Sequence, residues 1–283
     1  MKKSLLVTLA LSLVLVAAGC SKTTENTTEE VATEVEDATE AVEEDAAEAE
    51  DTAEAETETE ADTENATAEG VMSYADYVAA DVDTEVCVET YVQAKQAWWE
   101  DNGVGQATFY TQNQDGAFFV YNLPCSQEDY DKLVPGTKIK VTGFKSEWSG
   151  EVEITDATYE IEDTDTFVAD AKDVTDLLGK DELIDYQNQF VSFKGMTVEA
   201  ANDAGDAFLY KWDGSGTEGD DLYFNVSLDG NTYTFTVESY LCDKDSDVYK
   251  AVQNLKVGDV VNMEGFLYWY EGVNPHITSV SVQ

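Results

Sequence analysis

The C-terminal part of the chain repeats one pattern of glycines and strand residues, and this duplication limits the folds that the chain can adopt. Gly136 and Gly143 lie seven residues apart, and Gly258 and Gly265 repeat that spacing. A phenylalanine follows the second glycine in each copy. Because the same features recur in the same order, we expect two similar units rather than one large domain.

Each copy also has an Asp-Gly dipeptide, at Asp115 and at Asp229, between runs of alternating apolar and polar residues. This setting is typical of a β-hairpin turn. Each unit is therefore predicted to have a long first strand, a hairpin of strands two and three, a short helix and a closing hairpin of strands four and five. In the first unit the predicted strands are 85–96, 107–112, 117–123, 137–146 and 151–161, with a helix at 127–133. In the second unit they are 190–200, 222–228, 231–238, 259–268 and 275–282, with a helix at 248–255.

This order resembles the OB-fold, a five-stranded Greek-key barrel. We therefore predict a mostly β protein with two tandem OB-like barrels, at 70–162 and 190–283, joined by a connector with a short helix at 163–189. The resemblance extends to bacterial surface lipoproteins with tandem OB-like domains. It implies a binding site on the face of strands two and three, between the loops that join strands one to two and four to five.

The N-terminus has the features of a secretory signal. Two lysines precede an apolar run, and the small residues Ala17, Ala18 and Gly19 then lead to Cys20. This ending resembles the bacterial lipobox, which implies cleavage after residue 19, acylation of Cys20 and a lipid-anchored protein on the extracytoplasmic face of the cell membrane. The alternative is ordinary signal cleavage with Cys20 as an unmodified residue.

The segment 20–69 is predicted to be a disordered acidic tether. It contains 20 acidic residues and one lysine, and it has no aromatic residue, glycine or proline. Such a segment buries too little apolar surface to offset the entropy of ordering, and its charges repel one another. We expect it to hold the folded part away from the membrane.

The charge of the rest of the chain disfavours nucleic acid as a partner. Residues 70–283 contain 40 acidic residues against 12 lysines, and the whole chain has no arginine. Proteins that follow a phosphate backbone use clustered lysine and arginine. Nucleic acid therefore stays a secondary possibility, suggested only because OB-fold proteins often bind it.

Aromatic residues are predicted at both binding loops of the first barrel. Trp98 and Trp99 open the connection between strands one and two, and Trp148 lies at the tip of the hairpin of strands four and five. Rings at loop tips suit stacking on a sugar or a base. The alternative is that one of the adjacent tryptophans closes the end of the barrel while the other shields it.

The hairpin of strands two and three in the first unit is apolar on both faces. One face carries Tyr110 and Phe119, and the other carries Phe109 and Phe118. By analogy with the second unit, whose hairpin has one apolar and one polar face, we expect Phe109 and Phe118 to point outward as a ligand platform. The alternative is that the outer face packs against the connector or the second barrel.

No pattern in the sequence indicates a metal, a cofactor or a catalytic centre. The acidic stretch 243–247 begins like a calcium-binding loop, but Val248 stands where glycine is required and Asn254 where the bidentate glutamate belongs. The single histidine, His276, has no evident nucleophile or orienting acid nearby in sequence. We predict that the protein is not an enzyme.

Three cysteines besides Cys20 allow at most one disulfide within the chain. Cys87 and Cys125 are the pair within one repeat, while Cys125 and Cys242 occupy equivalent places after strand three. A disulfide and a buried packing role both stay open.

From these features we expect a noncatalytic, lipid-anchored binding protein whose aromatic loops take a glycan or a similar polar ligand. The predicted ligand-binding residues are Trp98, Trp99, Trp148, Phe109 and Phe118. The alternatives are an OB-fold protein that binds nucleic acid and a surface scaffold that binds another protein.

Overall fold

A computed structural model describes residues 70–283, which form two β-sheets with short helices. Predictions for the signal, for Cys20 and for the acidic tether concern residues outside this range. None of the helices within 70–283 combines the length and apolar character that a membrane-spanning helix requires.

The first sheet closes into a barrel. Its strands follow the order β1-β5-β6-β4-β3-β2, and a further β1–β3 pairing closes the ring. β4 and β6 are parallel, and the other pairs are antiparallel. The elements of this unit are α1 (Tyr74–Ala79), β1 (Glu85–Lys95), β2 (Trp99–Asp101), β3 (Val104–Gln112), β4 (Ala117–Pro124), α2 (Gln127–Lys132), β5 (Thr137–Trp148) and β6 (Glu151–Thr166).

The second sheet repeats this topology. Its order is β7-β8-β12-β13-β11-β10-β9, a β8–β10 pairing joins the ends of the five main strands, and β11 and β13 are parallel. Its elements are β7 (Lys172–Asp173), β8 (Phe190–Glu199), β9 (Leu209–Tyr210), β10 (Leu222–Leu228), β11 (Asn231–Val237), α3 (Asp247–Gln253), β12 (Val260–Phe266) and β13 (His276–Val282).

The prediction of a mostly β protein with two tandem OB-like units is confirmed, and the main strands lie where the alternation placed them. The connector differs in detail. Instead of one helix it has two 3-10 stretches, Thr175–Leu177 and Asp181–Tyr186. Between them Gly179 has φ +78°, a left-handed conformation that interrupts any continuous helix.

The duplicated glycines have a structural reason. Gly136 and Gly258 have φ +92° and +94°, so each supplies the same left-handed turn before the fourth strand of its barrel. At Gly143, a β-carbon would lie 2.7 Å from the Thr155 carbonyl oxygen, and at Gly265 it would collide with the backbone of His276. Each barrel therefore needs a residue without a side chain where its fourth and fifth strands approach most closely.

Each barrel has its own core. Phe109, Phe118 and Ile139 are fully or almost fully buried in the first core. The second core contains residues of the same kind on the inward faces of its strands, namely Phe193, Phe224, Phe235, Met263 and Ile277. Burial of such side chains contributes about 1.5–3 kcal/mol each, so the two cores supply most of the driving force for folding.

The expectation that Phe109 and Phe118 point outward is wrong. Phe109 is 0% exposed and Phe118 is 1% exposed, and both lie inside the first barrel. The opposite face, with Tyr110 and Phe119, points outward and packs against Phe266 of the second barrel. The outer face does pack against the second barrel, as the alternative stated, but it carries Tyr110 and Phe119 instead of Phe109 and Phe118.

The reason is a difference between the two hairpin turns. The first hairpin ends in the pair Gln112–Ala117 around a four-residue loop, whereas the second ends in Leu228–Asn231 around a two-residue loop. The closing pair lies on the outer face in the first hairpin and on the core side in the second. The first loop is two residues longer, which shifts each strand by one residue relative to the second hairpin. Because side chains alternate along a strand, this shift exchanges the core face and the outer face, and the analogy between the copies fails.

The close approach at Gly265 leads to a stability prediction. Gly265→Ala should lower the free energy of unfolding by about 2–4 kcal/mol, because the added methyl group forces β12 and β13 apart. Gly195→Ala is the matched control. Gly195 has φ +65° but open space around it, so this change should cost only about 1 kcal/mol of backbone strain. Urea unfolding measures both, and equal losses would contradict the steric explanation.

Candidate functional site

Aromatic contacts join the two barrels along the outer face of the first hairpin. The Tyr110 and Phe266 rings stack with centroids 4.5 Å apart, and Phe119 packs edge-on against Tyr110 at 5.0 Å. The Tyr110 hydroxyl and His276 Nδ1 share a buried hydrogen bond of 2.6 Å. Burial lowers the pKa of His276 to about 3, so the imidazole is neutral, and this contact explains the lone histidine as part of the junction.

Backbone and side-chain hydrogen bonds also cross the junction. Ala97 N donates to the Tyr240 carbonyl at 2.8 Å, and Glu271 N donates to the Ser149 carbonyl at 2.7 Å. The buried Glu151 accepts from Trp269 N at 2.9 Å. These bonds hold the loops of the two barrels together at several points, which fixes the surface between them.

A cleft of about 710 Å³ lies at this junction, and we call it the inter-barrel cleft. Trp148 at the end of β5 and Tyr270 in the β12–β13 connection meet there with ring centroids 5.1 Å apart. The first barrel contributes aromatic rings from β4 and β5, and the second contributes them from its loops and β10. The aromatic residues of the cleft are Phe119, Tyr121, Trp148, Trp212, Tyr223, Tyr268 and Tyr270.

The inter-barrel cleft continues onto the face of the β10–β11 hairpin. An adjoining cavity of about 390 Å³ shares Trp212, Tyr223, Tyr270 and Asn274 with it. Trp212 belongs to the connection between the first and second strands of this barrel, and Tyr270 to the connection between its fourth and fifth. This is the face and the pair of loops at which OB barrels usually bind.

The polar groups of the cleft include amides and carboxyl groups as well as tyrosine hydroxyls. Glu238 accepts hydrogen bonds from Leu241 N at 2.9 Å and from Gln96 Nε2 at 3.2 Å. Burial raises the pKa of Glu238 to about 7. Asp221 is held by the backbone and hydroxyl of Ser239, at 2.8 and 2.7 Å. Among the described residues that line the cleft and the adjoining cavity, none is a lysine.

Of the predicted site residues, only Trp148 lies in the cleft. Trp98 is half-buried on the first core, where its Nε1 donates to the Cys125 carbonyl at 3.1 Å. Trp99 is 44% exposed on β2 and does not line the cleft. The structure therefore separates Trp98 and Trp99 from Trp148. Because they lie in the core, Phe109 and Phe118 are out of reach of any ligand.

Sequence reasoning missed the contribution of the second barrel. Tyr270 stands opposite Trp148 in the repeat, and this correspondence could have marked it. Tyr223 interrupts an otherwise polar strand face, which is also a readable signal. Trp212, 75% exposed, lies in a long acidic connection whose path depends on the folded barrel, and no local pattern identified it.

The remaining candidate residues are the three cysteines and the acidic stretch 243–247. Cys87, Cys125 and Cys242 are free thiols, with Cys125 buried and Cys242 packed against the second core. Within residues 70–283, His, Cys, Asp and Glu form no group with the arrangement of a metal site. The acidic stretch that resembles the start of a calcium loop provides instead a serine cap, because the Ser246 hydroxyl accepts from Tyr249 N at 3.3 Å and begins α3.

Comparison with known proteins gives likenesses only among solved structures. No protein-family model matches the chain, and no curated protein matches it. A murine DNA-binding protein bound to double-stranded DNA is 11% identical with a TM-score of 0.33, covering 70% of this chain and 94% of its own. The p204 HINb domain is also 11% identical with a TM-score of 0.33, and the coverage is 72% and 99%.

A replication protein A heterotrimer bound to single-stranded DNA is 13% identical with a TM-score of 0.31, covering 70% of this chain and 49% of its own. Similarity at this level does not transfer a ligand to this chain.

The junction has a pH dependence that follows from Glu151. Burial is the main cause that raises the pKa of this carboxyl to about 8, from 4.5 when exposed. Between these values the folded chain holds a proton that the unfolded chain releases, so Glu151 makes stability fall as pH rises toward 8. Glu151→Gln should remove this loss and stabilise the protein at about pH 8.5 by 1–3 kcal/mol relative to its effect at about pH 5. Urea unfolding of both proteins at the two pH values measures the difference, and parallel pH profiles would show the assignment to be incorrect.

Proposed function

We propose that the protein is a noncatalytic binding protein that takes a glycan in the inter-barrel cleft. The observation that carries this proposal is a set of aromatic rings from both barrels around a cavity of about 710 Å³ whose polar groups include amides, carboxyl groups and tyrosine hydroxyls. Sugars offer apolar faces to aromatic rings and hydroxyl groups to such polar partners.

Several polar groups of the cleft are available to a ligand. Within residues 70–283, the hydroxyls of Tyr223 and Tyr270 make no hydrogen bond with the protein. Asn274 uses its amide oxygen to accept from the Thr236 hydroxyl at 2.7 Å, which orients its amide nitrogen as a donor. A ligand rich in hydroxyl groups could satisfy these donors and acceptors while its rings cover Trp212 and Tyr270.

Charge is the argument against nucleic acid as the main ligand. The rings would serve equally well for stacking on bases. The acidic residues Asp221, Glu238 and Glu271 line the cleft, however, and no lysine does so among the described residues. Phosphates would meet repulsion there without a compensating cation. Binding of single-stranded nucleic acid is the alternative suggested by the fold, and the experiment below therefore measures it as well.

A glycan array probed with the purified full chain tests the proposal. Trp212→Ala and Tyr270→Ala should each weaken binding of the retained glycan about tenfold or more, because each removes a stacking surface. Trp99→Ala is the matched control, since Trp99 is an exposed tryptophan outside the cleft, and it should leave affinity unchanged. Unaltered affinity in both cleft variants would exclude the cleft. Retention of oligonucleotide with a steep salt dependence, and of no glycan, would favour the alternative.

We also propose that Cys20 carries the lipid that anchors the protein on the extracytoplasmic face of the membrane, with the acidic segment as a spacer. Support comes from the sequence before Cys20 and from the composition that follows it. Cys20→Ser should move the protein from the detergent phase to the aqueous phase in a detergent partition experiment, and the acylated N-terminal peptide should disappear from the mass spectrum. An unmodified Cys20 in the wild-type protein would refute the anchor without affecting the glycan site.

A further inference from the structure

The acidic side chains of the inter-barrel cleft indicate the charge of its ligand. Asp221, Glu238 and Glu271 line the cleft together with the aromatic residues named above. We propose that the glycan bound there carries a free amino group, which is protonated and lies among these acids and rings. This inference rests on the proposed glycan site and specifies the class of sugar that the site takes.

Three rings lie where the inter-barrel cleft meets the adjoining cavity. Trp212, Tyr223 and Tyr270 line both cavities. Trp212 and Tyr270 are exposed, so their rings are open to a ligand. A sugar stacks on such rings, and a cation is attracted to their faces. The same rings can therefore hold both the apolar face and the charged group of an amino sugar.

Asp221 lies close to these rings. Its Oδ1 accepts from the backbone and the hydroxyl of Ser239, whereas its Oδ2 makes no hydrogen bond within residues 70–283. Burial is the main cause that raises the pKa of Tyr223, and the charges of Asp221 and Glu238 raise it further. These groups therefore lie close enough to repel one another, and a cation between them would relieve that repulsion.

Glu271 is the second source of negative charge. It is exposed in the β12–β13 connection, and its carboxyl group has no hydrogen bond or ion pair within residues 70–283. Glu238 contributes less below neutral pH, because burial raises its pKa to about 7. Asp221 and Glu271 therefore provide most of the attraction for a protonated amine under those conditions.

The described residues that line the two cavities include no positive charge to oppose a cation. No lysine is among them, and His276 is neutral because burial lowers its pKa to about 3. Lys211 precedes Trp212 in the chain, but its ammonium group lies 4.0 Å from Asp220, and neither residue lines a cavity. An amine in the cleft would therefore meet acids and rings without a competing cation.

Three trisaccharides with the same β-1,4-linked backbone test the charge of the ligand. They are the oligomers of glucose, N-acetylglucosamine and glucosamine, which differ at carbon 2 in a hydroxyl, an acetamido or an amino group. Each is titrated into the full chain at about pH 5.5, where the amines are protonated, and at physiological salt. Tryptophan fluorescence follows binding. Because segment 20–69 contains no aromatic residue, this signal does not report amines bound to that acidic segment.

The glucosamine trisaccharide should bind about tenfold more tightly than the other two, because the attractions of its amines to the rings and to the acids add. Glu271→Gln should reduce this preference about threefold, and Asp221→Asn should reduce it at least as much. Glu85→Gln is the matched control. Glu85 is an exposed acid outside both cavities, so its replacement changes the net charge equally and should leave the preference unaltered.

Several results would overturn this inference and leave the glycan site intact. One is binding of the glucose or N-acetylglucosamine trisaccharide that equals or exceeds binding of the glucosamine trisaccharide. Another is an unchanged preference in both Glu271→Gln and Asp221→Asn, which would mean that the net charge of the chain attracts the amines. A third is retention of other glycans on the array when none of the trisaccharides binds. If the array retains no glycan, the proposed function itself is wrong, and the inference with it.

Discussion

The contact between the outer face of the first hairpin and the second barrel determines the rest of this structure. Tyr110 and Phe119 lie on that face, and each is almost fully buried only because Phe266 and the neighbouring loops cover it. Exposure of two adjacent aromatic rings on a sheet would be costly in water. Covering them fixes the two barrels against each other and brings Trp148 to Tyr270, without which the inter-barrel cleft would not exist.

The same contact explains the unusual titration of several groups. Glu151 and Glu238 are buried at or near the junction, where burial raises the pKa of each carboxyl to about 8 and about 7. Burial has the opposite effect on His276, because it lowers the pKa of the imidazole. The neutral ring is hydrogen-bonded to the Tyr110 hydroxyl. In a chain this acidic, protonated carboxyls reduce the repulsion at the junction. The barrels can therefore pack closely without any lysine to pair with these acids.

Much of the fold could be predicted because its signals are local. The Asp-Gly turns and the alternation in β10 and β11 act within a few residues, so they were readable from the sequence. The spacing of Gly136 and Gly143 was also readable, although its cause, the approach of two strands, was not. The site was predicted less well. Trp148 was placed correctly at a loop tip, but its aromatic neighbour Tyr270 comes from the other barrel.

The sequence by itself determined that the chain forms two OB-like barrels, because strand alternation and turn residues depend on neighbours along the chain. The tertiary structure decided which face of the first hairpin is core, because a change in turn length exchanges the faces of Phe118 and Phe119 without altering the alternation. It also decided that the rings form one cleft between the barrels. Trp212 and Trp148 lie far apart in sequence, and only the packing of one barrel on the other brings them to the same cavity.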